Sequence, residues 1–190
     1  EGAPVTDSRT FDGASARVVL NRKQGRTASA LDRVLAPTPR TRSTRTTYGG
    51  GANGIDVTRV EGPFDDDGSG TPPADTPTTD YAYYAAGEAD ACTGIVPVLQ
   101  DFNRDRMKSV SRRIDATRAL TTFTCDYDAL GRPRETKNPD GTRTRMTYDF
   151  RGSVTRVVVD VGGLALTTDN TYDALGALVE IRLPRTTTKG

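Results

Sequence analysis

The residues of this 190-residue chain whose types and spacing could do chemistry are carboxylates on loops, two cysteines and a run of glycines. Asp65, Asp67, Ser69 and Gly70 fall at the first, third, fifth and sixth places of a calcium loop, which draws oxygen ligands from such spacing. The twelfth place, where a bidentate Glu belongs, is Thr76, and no helical pattern flanks the segment, so a solvated acidic loop is the expectation. Asp101, Asn103 and Asp105 repeat the spacing more weakly, with Arg104 and Arg106 placed to repel a cation. Gly49 to Gly51 with Asn53-Gly54 invite a phosphate-cradling reading, but no Gly-Lys-Ser/Thr follows and the next segment alternates like a strand. A hairpin turn is the simpler reading.

Histidine is absent, which removes the commonest general base, the usual partner of a nucleophile and the commonest zinc ligand. Two cysteines without histidine make a poor zinc set. Cys92 and Cys125 would either close one disulfide loop of about thirty residues, contributing about 3 kcal/mol, or stand as separate thiols; both arrangements stay open. No catalytic residue, cofactor or metal is expected, and the chain does not read as an enzyme.

The remaining carboxylates belong to a repeat. Tyr127-Asp128-Ala129-Leu130-Gly131, Tyr148-Asp149-Phe150-Arg151-Gly152 and Tyr172-Asp173-Ala174-Leu175-Gly176 share Y-D-x-x-G, with tyrosines 21 and 24 residues apart. The Asp can close a tight turn through its side chain, and the Gly can take the left-handed conformation. Before the first copy, residues 121–127 alternate: Thr121, Phe123, Cys125 and Tyr127 share one face, the period of a half-buried strand. Pro139-Asp140-Gly141 after Asn138 is a turn signal between the first two copies. The elements that must position these motifs are therefore antiparallel strands with a turn about every ten residues.

Y-D-x-x-G-R, a P-D-G-T turn and T-x-Y-D-x-x-G resemble the YD repeats of the Rhs family, which includes bacterial Rhs polymorphic toxins, the B and C components of Tc toxin complexes and animal teneurins. The resemblance spans residues 120–183 and weakens upstream, where Tyr84-Ala85-Ala86-Gly87 keeps only Tyr and Gly, and Phe11-Asp12-Gly13 and Tyr48-Gly49-Gly50-Gly51 keep less. It implies an all-β antiparallel meander of YD-repeat hairpins, forming a curved or spiralling sheet that is a section of an Rhs-type shell. The implied role is structural, in a large secreted or cell-surface protein, with strands pairing edge to edge. Implied partners are further repeats of the same or a neighbouring chain and an encapsulated toxin domain, with a homo-oligomer or filament as the form of self-association. The self-cleaving aspartyl segment that follows the repeats in bacterial relatives has no match in this sequence. The alternative is an extracellular adhesion or carbohydrate-binding module, for which Tyr81, Tyr83 and Tyr84 form the one dense aromatic cluster outside the repeats.

Composition agrees with a thin sheet. Hydrophobic residues make up 34%, with 19 Gly, 11 Pro and no Trp, which is lean for a thick core and suits a sheet with a wet face. The net charge of +1 gives no argument for nucleic acid, although 22–45 is a basic stretch without interleaved aromatics. No apolar run is long enough for a membrane span. The chain opens on Glu1 without a signal-peptide pattern, as a processed chain or a piece of a larger one would. Three regions are expected: 1–61 as degenerate β-repeat with a strand over 16–20 and a hairpin over 41–61, 62–79 as a Pro/Gly/Asp-rich loop or linker, and 80–190 as the YD-repeat sheet. Within the first, 28–36 reads as a short helix or a strand.

Overall fold

The computed structural model describes residues 6–11, 18–25, 40–50, 56–67, 69–95, 101–115 and 117–184. Among them regular structure is all β: strands β1 (Thr6–Phe11), β2 (Val18–Gly25), β3 (Arg40–Gly50), β4 (Asp56–Asp65), β5 (Thr78–Tyr83), β6 (Met107–Arg113), β7 (Ala119–Tyr127), β8 (Pro133–Lys137), β9 (Arg143–Tyr148), β10 (Val154–Val159), β11 (Leu166–Tyr172) and β12 (Leu178–Arg182). Strand neighbours follow chain order, and the registers are antiparallel, so the sheet is a meander as the alternation and turn spacing require. Two compact units divide it: Glu1–Ala82 with Val110–Leu120, and Tyr83–Ser109 with Thr121–Gly190. The expected helix or strand at 28–36, the Asn53-Gly54 turn and Asp12-Gly13 lie outside the described residues.

In the first unit the strand expected over 16–20 is described from Val18 and runs on to Gly25, so Arg22 and Lys23 of the basic stretch are strand residues. β4 also runs further than its composition suggests. The proposed loop at 62–79 begins inside this strand, which continues through the cis Gly62-Pro63 bond to Asp65, and it ends inside β5; the segment without strand is 66–77. The reason is local. Pro63 sits at a register shift between the Ser43–Phe64 and Arg45–Glu61 pairs, a bulge where its missing N–H costs the ladder nothing. Phe64 beyond it is buried, as are Leu20, Ser43, Thr76 and Thr78 of the same unit.

The acidic loop then folds in on itself. Asp66 accepts the Ser43 hydroxyl and the Gly70 N–H, and Asp67 accepts the Ser69 N–H at 2.9 Å. The Ser69 side chain first, and its backbone N–H next, hold the Asp67 carboxyl below the ordinary range. Asp65 pairs with Arg42 at 3.6 Å. The calcium-like spacing is thus used in closing turns.

In the second unit Tyr84, Cys125 and Tyr127 are the buried apolar side chains among the described residues, with polar Asn103, Thr124 and Glu135 beside them. The strict alternation expected along 121–127 is broken, because Thr124 and Cys125 are both buried. A bulge between Thr124 and Asp126 in the β7–β8 register puts Cys125 opposite no residue of β8, and two neighbours turn to the same side. Burial then declines along the meander, and all five residues of β12 are exposed.

Gly62 gives a direct test of the first unit. Its φ is +117°, and a Cβ there would lie 2.7 Å from the Ser43 carbonyl oxygen, which is backbone and cannot swing away. Gly62→Ala is expected to destabilise this unit by about 1–3 kcal/mol, read as a lowered denaturant midpoint; an unchanged midpoint would refute the packing described.

Candidate functional site

Each Y-D-x-x-G motif ends one strand and closes the turn to the next. At the first, the Asp128 N–H donates to the Arg132 carbonyl at 3.0 Å and the Gly131 N–H to the Asp128 carbonyl at 2.9 Å. The Asp128 Oδ1 accepts the N–H groups of Leu130 and Arg132, both at 2.9 Å. The other two copies repeat this closure atom for atom: Asp149 Oδ1 holds the N–H groups of Arg151 and Ser153, and Asp173 Oδ1 those of Leu175 and Ala177. The glycines carry φ of +79°, +96° and +88°, where an L side chain is strained. Aspartate suits the first turn position because its short side chain reaches both N–H groups from there. The Pro139-Asp140-Gly141 turn works alike at the other end of the hairpin, with Asp140 accepting the Thr142 N–H and Gly141 at φ +88°.

Tyrosine and arginine tie one turn to the next. Tyr148 donates its hydroxyl to the Pro133 carbonyl at 2.7 Å and Tyr172 to the Val154 carbonyl at 3.0 Å; both acceptors lie two residues past the preceding glycine. In the forward direction Arg132 stacks 4.5 Å over the Tyr148 ring and donates to the Asp149 carbonyl. Arg151, from a different place in its own turn, donates to the Asp173 carbonyl. These arginines cross beside the next glycine: Arg132 at Gly152 and Arg151 at Gly176. In the third copy the two places that supply them hold Leu175 and Ala177, so the forward arginine is missing.

A fourth turn of this kind is hidden in sequence. The Tyr84 N–H donates to the Arg106 carbonyl and the Asp105 N–H to the Tyr84 carbonyl, the same pair of bonds that closes the turn at Asp128 and Gly131. Asp105 takes the glycine place, with φ +61°. Tyr127 completes the correspondence by donating to the Met107 carbonyl, two residues on, while Arg106 stacks on the Tyr127 ring and crosses Gly131. The repeat therefore runs from Tyr83-Tyr84, not from Tyr84 to Gly87, and residues 85–104 replace two turn residues. Sequence reasoning missed it because aspartate stands for glycine and twenty residues separate the halves. The greater tolerance of Asp for left-handed backbone was the available signal.

The insertion is fastened over β7. A disulfide joins Cys92 to Cys125, with Cα atoms 5.3 Å apart. Tyr84, 1% exposed, points its hydroxyl at the carbonyls of Thr124 (2.8 Å) and Cys125 (3.1 Å) and accepts the Ala91 N–H. Asn103 donates to the Cys125 carbonyl and accepts the Tyr127 N–H. The bulge thus frees a carbonyl that the insertion takes up. Tyr84 is accordingly interior, while Tyr81 and Tyr83 of the same aromatic cluster are half-buried. The Tyr84 phenol is pushed up to about 12, first by burial. Asp90, Cys92 and Cys125 bring ligand-type atoms within 4.8 Å of one another, but the sulfurs are bonded to each other and Asp90 Oδ1 holds the N–H groups of Cys92 and Thr93. Asp101, Asn103 and Asp105 are likewise structural: Asp101 caps Gly87 and Arg104, and Asn103 and Asp105 act as above.

Between neighbouring strands the chemistry is ionic. Glu135, 4% exposed, receives Arg143 on Oε1 and Arg145 on Oε2, and Arg143 continues to the Val161 carbonyl in the β10–β11 loop. A carboxylate so buried is tolerable only with such partners.

Residues 127–165, which hold the first two Y-D-x-x-G turns, match the RHS Repeat family model. No curated protein matches the chain.

Two measurements test these turns. Gly152→Ala is expected to cost about 1–2 kcal/mol from φ alone, and Gly131→Ala the same plus the loss of the Arg106 stack on Tyr127, because the guanidinium must swing away from the added Cβ; in an Arg106→Ala background the two substitutions should cost alike. At Asp128 and Asp149 burial works against the charge, but the N–H donors at Arg132 and Ser153 lead the opposing causes and hold both carboxyls below the ordinary value of 3.8. A lowered folded value contributes stability above the unfolded value and loses it as pH falls through the folded one. Thermal stability should therefore be level above about pH 4 and fall below it, with both carboxyls titrating under 3.8 by NMR.

Proposed function

Taking as premise that the chain is of the Rhs/YD-repeat family and is a structural repeat segment of an Rhs-type protein, we propose that it builds part of a β-sheet shell or scaffold that encloses other polypeptide. The observation that carries this is the relay from turn to turn. Each repeat is completed by its neighbour, through a tyrosine reaching back and an arginine reaching forward. A unit so built adds strands at an edge rather than folding around a private core. β12 offers such an edge strand, and its Val179 and Ile181 are exposed. The reading assigns the chain no catalytic step, since the repeat aspartates are occupied in turn closure. It places the protein outside the cell or on its surface, where a disulfide such as Cys92–Cys125 persists; no helix among the described residues is long and apolar enough to cross a membrane. Its partners are further repeats and an enclosed domain.

Light scattering and electron microscopy of the chain test the proposal. Association that rises with concentration, and that drops when Val179→Lys and Ile181→Lys charge the β12 edge, is the expected result. A compact monomer at every concentration, unchanged by those substitutions, would overturn edge pairing and favour an extracellular binding module.

A further inference from the structure

Two residues suffice to span each tight turn, yet the fourth turn carries residues 85–104. Among its described residues the insertion contributes little apolar burial: Ile95 is 66% exposed and Phe102 38%. It is instead pinned by a disulfide and by the buried hydroxyl and amide of Tyr84 and Asn103. What it creates is a cavity of about 400 Å³, walled by its own Asp90, Thr93, Ile95 and Asn103 and by Asp126, Arg134, Glu135 and Arg145 of the strands. That is the lower end of the range for small-ligand sites, room for one long side chain. The tight turns have two residues where this wall stands, so the cavity belongs to the insertion.

The charges on the wall are unequally engaged. Glu135 is fully committed, one oxygen to Arg143 and one to Arg145. Arg134 approaches Asp126 only to 3.6 Å, longer than a hydrogen bond. Asp90 uses Oδ1 to hold two backbone N–H groups of its own turn. Apart from Glu135 and its arginines, the wall thus carries two carboxylates, Asp90 and Asp126, against one guanidinium, Arg134, with Ile95 as its apolar residue. Burial pushes the Asp126 carboxyl above its ordinary value, Arg134 draws it back, and Asp90 and Glu135 add to the rise; a seated cation would relieve that repulsion.

We propose that this cavity binds an alkylguanidinium or alkylammonium group with its carbon stem, the end of an arginine or lysine side chain of a partner polypeptide. The stem lies against Ile95, and the cationic head lies between Asp126 and Asp90, where a charged hydrogen bond is stronger than in water.

The full oxidised chain can be titrated with Nα-acetylarginine amide, Nα-acetyllysine amide, spermidine and the uncharged Nα-acetylcitrulline amide, following backbone amides by NMR. Saturable shifts at Thr93, Ile95, Asn103 and Glu135 with the blocked arginine or lysine are expected. Affinity should fall at least tenfold in Asp126→Asn and severalfold in Ile95→Ser, whose exposed side chain the fold does not need, and stay unchanged in Asp169→Asn, a surface carboxylate paired with Arg156. Citrulline binding as tightly as arginine, non-saturating shifts, or equal loss in Asp126→Asn and Asp169→Asn would overturn the site. Spermidine binding more tightly than either blocked amino acid would overturn the polypeptide as its source.

Discussion

The second unit depends on one small closure: an aspartate carboxylate that takes two backbone N–H groups, with a left-handed residue at the end of the same turn. Without it the strands on either side have no fixed register, because their sequences, rich in threonine and arginine, do not bury enough to choose one. Hydrophobic burial, which drives the folding of most domains, is thin among the described residues. Order comes instead from backbone ladders, from charged acceptors held against N–H donors, and from pairs such as Glu135 with its two arginines. Exposed ion pairs like Arg156–Asp169 add little, because solvent screens them. The turn sets the register, and the tyrosine and arginine then spread that register to the neighbour.

How much of this is legible in sequence follows the distance over which each device acts. The three Y-D-x-x-G turns and the Pro139-Asp140-Gly141 turn are local, spanning five residues or fewer, so residue type alone predicts them and the strands between them. The meander and its all-β class come with them. What sequence could not supply is set by partners far along the chain. Pro63 reads as a strand breaker until the bulge opposite Ser43 and Arg45 is seen to accept it. Cys125 reads as one more inward residue of an alternating strand, whereas its carbonyl is left over by a bulge and claimed from residues 84 and 103. Asp105 reads as a weak cation ligand, although it stands where other turns have glycine. The calcium-like spacing of Asp65 and Asp67 shows the same limit from the other side, since side-chain spacing alone does not reveal that each carboxylate already has an N–H or an arginine.

The insertion shows how such a sheet can acquire detail. A closure made by two backbone bonds and a left-handed residue does not depend on what bridges its ends, so a loop can be lengthened there at small entropic cost. Here the added chain has its own fastening, partly covalent, which fixes its position over β7 independently of the repeat that carries it. Sheet and insertion thus divide the work: the repeats give a regular support, and the interruption gives a place with individual shape and charge.

The arginine that passes from each turn to the next has a further consequence. It makes the series directional: Arg106, Arg132 and Arg151 all act toward the C-terminal neighbour, and the third copy, with Leu175 and Ala177, receives such a contact without giving one. The copies are therefore not interchangeable links. A gene that lengthened this array by duplicating the first or second copy would reproduce a functioning joint, whereas one that duplicated the third would insert a seam without a clamp.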